Sequence, residues 1–248
     1  MRRYFLEVAY QGTRYHGWQI QQNARSVQEE IQNALSTLLR CSIATMGSGR
    51  TDTGVHALQQ FLHFDYGGEI VGGDFIKRIN AILPHDIAVL DLRKVVPEAH
   101  ARFDALARKY EYHMVARKDP FSKNLAWHCF YELDVEAMDK AAALLMEYRD
   151  FECFSKMKTE VNHFHCEIKE AFWEQNEGRM IFHIMANRFL RGMVRAVVGT
   201  LVEIGRGKME VEGIREVIES RSRSKAGPSV PPDGLYLSQV IYPQRIFV

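Results

Sequence analysis

The chain has 248 residues, 46% of them hydrophobic and 25% charged, and its 32 lysines and arginines against 31 aspartates and glutamates leave a formal net charge of +1. That length and balance suit one large or two modest globular domains and exclude a disordered or low-complexity chain. The four cysteines, Cys41, Cys129, Cys153 and Cys166, include no close-spaced pair, which argues against a disulfide framework and a zinc ribbon, and no apolar run reaches membrane length.

Tyr4, Leu6, Val8 and Tyr10 alternate with Phe5, Glu7 and Ala9, so the chain opens with a strand rather than the apolar core of a signal peptide, and a cytoplasmic protein is expected. A turn follows at Gln11-Gly12. Ser26 stands three residues before Glu29, the spacing of a capping box, and Val27, Ile31, Leu35, Leu38 and Leu39 recur at helical intervals up to about Arg40. Residues 42–46 read as a strand entering a glycine-rich loop, and 57–66 as the strand leaving it. Asp74 is expected to cap a short helix that Pro84 ends, and residues 87–95 form another strand. The second half repeats this vocabulary. Residues 107–116 are a strand with Tyr110, Tyr112 and Met114 on one face, and Asp134 caps a helix carrying Val135, Met138, Ala142 and Leu145. Strands at 166–175 and 180–186 turn at Asn176-Glu177-Gly178. A long helix is predicted from about 188 to 204, closed by Gly205, and a shorter one at 210–219. Residues 220–233 have the composition of a mobile basic loop, and 235–242 is a final strand. Two strand-helix-strand halves meeting near 103–106 give expected domains of 1–104 and 105–248.

The loop between the third and fourth of these elements, Gly49-Arg50-Thr51-Asp52-Thr53-Gly54-Val55-His56-Ala57, carries one carboxylate among glycines and a cation. Gly49 and Gly54 let backbone turn or approach a ligand, so the loop displays Asp52 rather than burying it. Arg50 is placed to keep it ionised, since an opposite charge nearby lowers a carboxyl pKa. The plainer alternative is a turn whose aspartate bonds to local backbone. Charge along the chain is segregated: residues 132–177 hold twelve acids and five bases, whereas 179–225 hold ten bases and five acids. A basic face of that kind suits phosphates, and a solvated helix face is its alternative. Arg188, Arg191 and Arg195 fall at i, i+3 and i+7, a stripe on the predicted long helix with Phe189, Met193, Val197 and Leu201 on its core side. No dinucleotide or phosphate-binding glycine loop is present, and His163, His165 and Cys166 with Cys153 fit no standard zinc module, so neither a cofactor nor a metal is expected. Ser48, Asp52 and His56 lie in one short loop without a nucleophile elbow, which argues against a hydrolytic triad.

The 49–57 stretch resembles the signature of the TruA family of tRNA pseudouridine synthases. Further family-like segments follow in order: Tyr10-Gln11-Gly12-Thr13, Tyr15-His16-Gly17-Trp18-Gln19, Ser26-Val27-Gln28-Glu29, Leu83-Pro84, Asp86-Ile87-Ala88-Val89, His100-Ala101-Arg102-Phe103, Ala107-Arg108-Lys109-Tyr110-Glu111-Tyr112, Phe189-Leu190-Arg191, Met193-Val194-Arg195, Ala226-Gly227-Pro228 and Gly234-Leu235-Tyr236-Leu237. The resemblance implies an α+β pseudouridine synthase fold in which two ferredoxin-like halves form a mixed, mainly antiparallel sheet around a central cleft. It implies isomerisation of uridine to pseudouridine in the anticodon stem-loop of tRNA, without a cofactor, by a homodimer. Carried over by position, Asp52 is the catalytic aspartate, assisted by Arg50, and Arg191 pairs with it. Tyr110 stacks on the target uracil, Leu235 lines the same pocket, and Arg188 and Arg195 are left as RNA-binding candidates. Two rival readings remain at this point: a non-catalytic RNA-binding module, for which Tyr110 and the arginines suffice, and a metal-dependent hydrolase built on Asp52, His56 and His63.

Overall fold

The structure is a computed structural model that describes residues 1–156 and 162–248. It divides into two compact units, one of residues 1–106 with 237–248 and one of 107–236. The expected boundary at 104/105 therefore falls two residues early, and the last twelve residues group with the N-terminal unit.

The first unit runs β1 (Arg2–Tyr10), α1 (Val27–Leu39), β2 (Met46–Gly47), β3 (His56–Tyr66), α2 (Gly72–Ile82) and β4 (Ile87–Val95). Its strands pair in the order β4-β1-β3, with β2 also on β3, and every pair is antiparallel. A β-α-β-β-α-β succession with that pairing is the ferredoxin-like arrangement. The alternation predicted for β1 holds, with Tyr4, Leu6, Val8 and Tyr10 all buried. Ser26 caps α1 by accepting the Glu29 N–H at 3.3 Å, and Arg40 closes it in the left-handed region at φ 54°. Two details differ from the sequence reading. Residues 42–45 are not a strand, so the strand entering the Asp52 loop is only Met46–Gly47. Asp74 does not cap α2 but lies inside its first turn, 3.6 Å from Arg78 one turn on.

On the other side of this sheet, Phe5, Phe61, Tyr242 and Phe247 meet edge to face, and His63 stacks on Phe5. His63 accepts the Ala101 N–H on Nδ1 at 3.1 Å, which requires a neutral ring. Burial, with Arg3 and His100 adding to it, pushes its pKa down to about 4. The unfolded chain takes up that proton near pH 6.5 and the folded chain only near 4, so below 6.5 the unfolded state binds more protons and stability falls as pH falls. Between pH 7 and 5 the loss from this one group is about 2 kcal/mol. Denaturant titrations at the two pH values should show it, and His63→Asn, whose side-chain oxygen can still accept from Ala101, should flatten the dependence by that amount. An unchanged slope in the variant would refute this account.

The second unit contains β5 (Ala107–Val115), β6 (Trp127–His128), α3 (Val135–Leu144), β7 (Ile168–Asn176), β8 (Arg179–Ala186), α4 (Met193–Gly205), α5 (Gly213–Glu219) and the first two residues of β9 (Leu235–Ile241). Strands β5, β8 and β7 pair antiparallel in that order, and the short β6 lies parallel to β5, making the strand set mixed. With the two-residue β6 set aside, the succession β5-α3-β7-β8-α4 repeats the first five elements of the other unit, and both units are α+β. The β7–β8 hairpin turns at Glu177 and Gly178, both at positive φ, as a tight two-residue hairpin needs. Asp134 caps α3 through the Ala137 N–H at 2.9 Å, and α5 is shorter than predicted because residue 210 is irregular and 211–212 form a turn.

The helix predicted over 188–204 forms only from Met193, and its first five expected residues are irregular. Asn187 accepts both the Arg188 and Glu167 N–H groups on its side-chain oxygen, at 2.8 and 2.9 Å, offering the backbone an alternative to helix. Gly192 then sits at φ 71°, and α4 starts only at Met193. Arg188 and Arg191 therefore precede the helix, and only Arg195 is on it. Nor is 220–233 loosely attached within its unit: the Gly227 N–H donates to Thr200 at 2.8 Å, and the Val230 N–H donates to the Arg195 carbonyl at 3.2 Å. Among the described residues no helix is long and apolar enough to cross a membrane.

Candidate active site

In the first unit, β2 and β3 pair antiparallel, Met46 opposite His63 and Gly47 opposite Leu62, so residues 48–55 form the connection of a hairpin. This connection is held from beneath. Ser48 donates its N–H to the Phe61 carbonyl at 2.7 Å and its hydroxyl to Gln60 at 2.6 Å, while the Gln60 amide donates to the Gly49 carbonyl at 3.0 Å. Thr51 shares a 2.8 Å hydrogen bond with the Tyr10 phenol, and its carbonyl accepts the Trp18 N–H at 3.1 Å. The next carbonyl, of Asp52, accepts the Val55 N–H at 3.1 Å, closing a turn in which Gly54 has φ 80°. The β1–β3 register shifts after Val8 by one extra residue in β3, which brings Tyr10 opposite Ala57, and the Tyr10 phenol reaches Thr51.

The segment after β1 packs on this loop at backbone distance. The Gly12 N–H donates to Nδ1 of the fully buried His56 at 3.1 Å, and a Cβ at Gly12 would lie 1.9 Å from the Val55 carbonyl oxygen. Gly17 has φ 95°, and a Cβ there would lie 2.5 Å from the Thr51 carbonyl oxygen. Tyr15 is tied to Asp86 at 2.5 Å and its carbonyl receives the Gly54 N–H at 3.4 Å. The glycines and aromatics at 10–18 are thus the counter-surface of the loop. With Ser48, Thr51, Val55 and His56 facing inward, Arg50 is exposed and Asp52 half-buried. What such a loop offers chemically is one carboxylate with an arginine two residues away, on backbone that cannot readily turn aside.

His56 and His63 each use Nδ1 on a backbone N–H and are buried, so neither is arranged as the hydrolase reading requires. Among the described residues no group of three or more His, Cys, Asp or Glu side chains is placed to hold a metal ion. Cys153 and Cys166 are buried thiols whose pKa values burial pushes up to about 12 and 11, which keeps them protonated.

In the second unit, Tyr110 lies on β5 opposite Ile184 of β8, half-buried, with Phe189 packed edge-on to its ring at 5.1 Å. The helical pattern had assigned Phe189 to a core stripe. Because the backbone is irregular from 187 to 192, it instead steadies the tyrosine. Arg191 is exposed, and its carbonyl accepts the Lys156 N–H at 3.0 Å. Arg188 approaches the His163 ring nitrogens at 3.3 and 3.4 Å. Arg195 donates from Nε to the Val230 carbonyl at 2.6 Å and accepts the Val230 N–H in return, so part of its guanidinium serves to fasten the 226–230 segment to α4. Leu235 is buried at the start of β9. The three arginines thus have three different settings and do not make a stripe.

A family model described as tRNA pseudouridine synthase matches residues 141–243. The tRNA pseudouridine synthase A of Bacteroides thetaiotaomicron is 49% identical over 250 residues, spanning 100% of this chain and 93% of the relative. Similar matches are found in Parabacteroides distasonis, 47% identical with 100% and 98% of the two chains covered, and in Thermoanaerobacter pseudethanolicus, 38% identical with 98% and 100% covered.

Proposed function

The chain belongs to the tRNA pseudouridine synthase family, and on that premise we propose that it converts uridines of the tRNA anticodon stem-loop to pseudouridine with Asp52 as its catalytic carboxylate. The isomerisation breaks the bond from ribose C1' to uracil N1, rotates the base, and rejoins C1' to C5 while the C5 proton leaves. No atom is lost beyond that exchanged proton, so no cofactor is required. A stacked uridine hides these atoms, and the nucleotide must be extruded before a side chain can reach it. A carboxylate at Asp52 suits each of three openings: attack on C6, attack on C1', or removal of the 2'-hydrogen.

The observation that carries this reading is Asp52 itself, half-exposed on a loop whose neighbours are fastened inward, in a chain matched along its whole length by tRNA pseudouridine synthases. Arg50 and Arg191 are assigned to orient the carboxylate. Tyr110, steadied by Phe189, is assigned to stack on the freed uracil, which contributes about 1 to 3 kcal/mol per base in such contacts, and Leu235 to line the pocket. Arg188 and Arg195 are assigned to the RNA backbone. The two units are taken as the catalytic and basic halves of the fold, working in the cytoplasm as a homodimer that binds one tRNA across both subunits.

The direct test uses an unmodified tRNA transcript labelled with tritium at uridine C5, incubated with the protein in excess EDTA. Tritium release and a pseudouridine mapped to the anticodon arm are expected. Tight binding without release would favour the RNA-binding module, and cleavage of the transcript without tritium release, only on adding divalent metal, would favour the hydrolase-like site.

A further inference from the structure

We propose that Gln60 and the Tyr10–Thr51 pair are positioning residues of the reaction, fixing the backbone on both sides of Arg50 and Asp52 so that the carboxylate is aimed before tRNA arrives. This rests on the assignment of Asp52 as the catalytic group. Gln60 is 0% exposed and Ser48 1% exposed, so neither is placed to touch a substrate. The Gln60 amide nonetheless uses both ends on the loop, accepting from the Ser48 hydroxyl and donating to the Gly49 carbonyl. That pattern fixes which end of the amide is oxygen and locks residues 48 and 49 together. On the far side, the Tyr10 phenol, on a side chain 5% exposed, takes the Thr51 hydroxyl, and the Trp18 N–H takes the Thr51 carbonyl.

Arg50 lies between these two clamps and Asp52 directly beyond the second, before the turn closed by its own carbonyl. Glutamine is a costly choice for the buried side of a strand unless both its polar ends are satisfied. Leucine or methionine would fill the space of Gln60 without that requirement. What the amide adds is a fixed register of the loop, and displacing a reacting group by about 1 Å can cost on the order of 100-fold in rate.

The experiment measures single-turnover rate and tRNA affinity separately, with thermal unfolding alongside, for Gln60→Met, Tyr10→Phe, Thr51→Val and Thr51→Ser. The first three should lower the single-turnover rate about 10- to 100-fold while the Kd for tRNA changes less than about threefold. Thr51→Ser, which keeps the hydroxyl, should recover most of what Thr51→Val loses. If Gln60→Met fails to fold, Tyr10→Phe, lacking a single oxygen, carries the test alone. A merely structural role would lower the unfolding temperature and leave the rate per folded enzyme unchanged, and that result overturns the proposal. Asp52→Ala run in the same assay separates the two layers. Turnover in that variant removes the assignment of Asp52, whereas an inactive Asp52→Ala beside a fully active Tyr10→Phe removes only the positioning role.

Discussion

Asp52→Ala is expected to abolish pseudouridine formation, by at least about 10⁴-fold in single-turnover rate, while tRNA affinity stays within a few fold. The two effects separate because they have different physical origins. Affinity for tRNA comes mainly from lysines and arginines meeting phosphates over a broad surface, and deleting one carboxylate takes nothing from that sum. Rate depends on the one group that touches the reacting atoms. The substitution is also a mild one for the loop, whose brace runs through the Gly49, Thr51 and Asp52 carbonyls and the side chains of Ser48, Gln60, Thr51 and Tyr10. Unfolding temperature should therefore stay within a few degrees of the parent. Tritium release from C5-labelled tRNA gives the rate and filter binding gives the affinity. Release at more than about one per cent of the parent rate would show that the chemistry resides elsewhere, and a proportionate loss of affinity would mean that Asp52 supports RNA binding instead.

The elements that were legible in the sequence are those whose residues carry their own instructions. Alternation in β1, the Ser26 cap and 3.6-residue spacing of α1, and the two-residue Glu177-Gly178 turn each follow from local chemistry, and each forms where expected. The connection bearing Asp52 was legible as a loop for the same reason, since Gly49 and Gly54 break the strands and Gly54 takes φ 80°. What was not legible depends on partners distant in the chain. Arg188, Arg191 and Arg195 satisfy helical spacing, yet the helix starts late because Asn187 captures two backbone donors and Gly192 takes a left-handed turn, choices that spacing does not weigh. Gln60 belongs to no motif in the sequence beyond the predicted strand 57–66. Its importance appears only when β3 places it under residues 48 and 49, eleven or twelve positions earlier. His63 and Arg195 likewise disclose their roles through backbone groups of Ala101 and Val230, far along the chain.

The segment 220–233 shows the same limit with a measurable consequence. Its serines, arginines and prolines suggested mobility, but its one glycine and a glycine of α4 are small because backbone touches backbone. A Cβ at Gly199 in α4 would lie 1.7 Å from the Pro228 carbonyl oxygen, and one at Gly227 would lie 2.7 Å from the Gly199 carbonyl oxygen. Around that contact, Thr200 accepts the Gly227 N–H and donates to the Ala196 carbonyl, while Arg195 and Val230 exchange two hydrogen bonds. Replacing a helical glycine with alanine ordinarily stabilises by up to about 1 kcal/mol. Gly73→Ala in α2, where an added Cβ meets nothing within 4 Å, should do so. Gly199→Ala should do the reverse, because no side chain can swing away and the whole 226–230 backbone must move. Overpacking of this rigid kind costs about 3 kcal/mol or more, and at 2 to 4 °C per kcal/mol the unfolding temperature should fall by roughly 6 °C at least. The damage should also reach function: once the segment lifts, Arg195 loses the Val230 carbonyl and the chain just before Leu235 loses its anchor. Calorimetry of the two variants side by side decides the matter, since equal and small shifts for Gly73→Ala and Gly199→Ala would mean that this segment is as loosely held as its composition suggests.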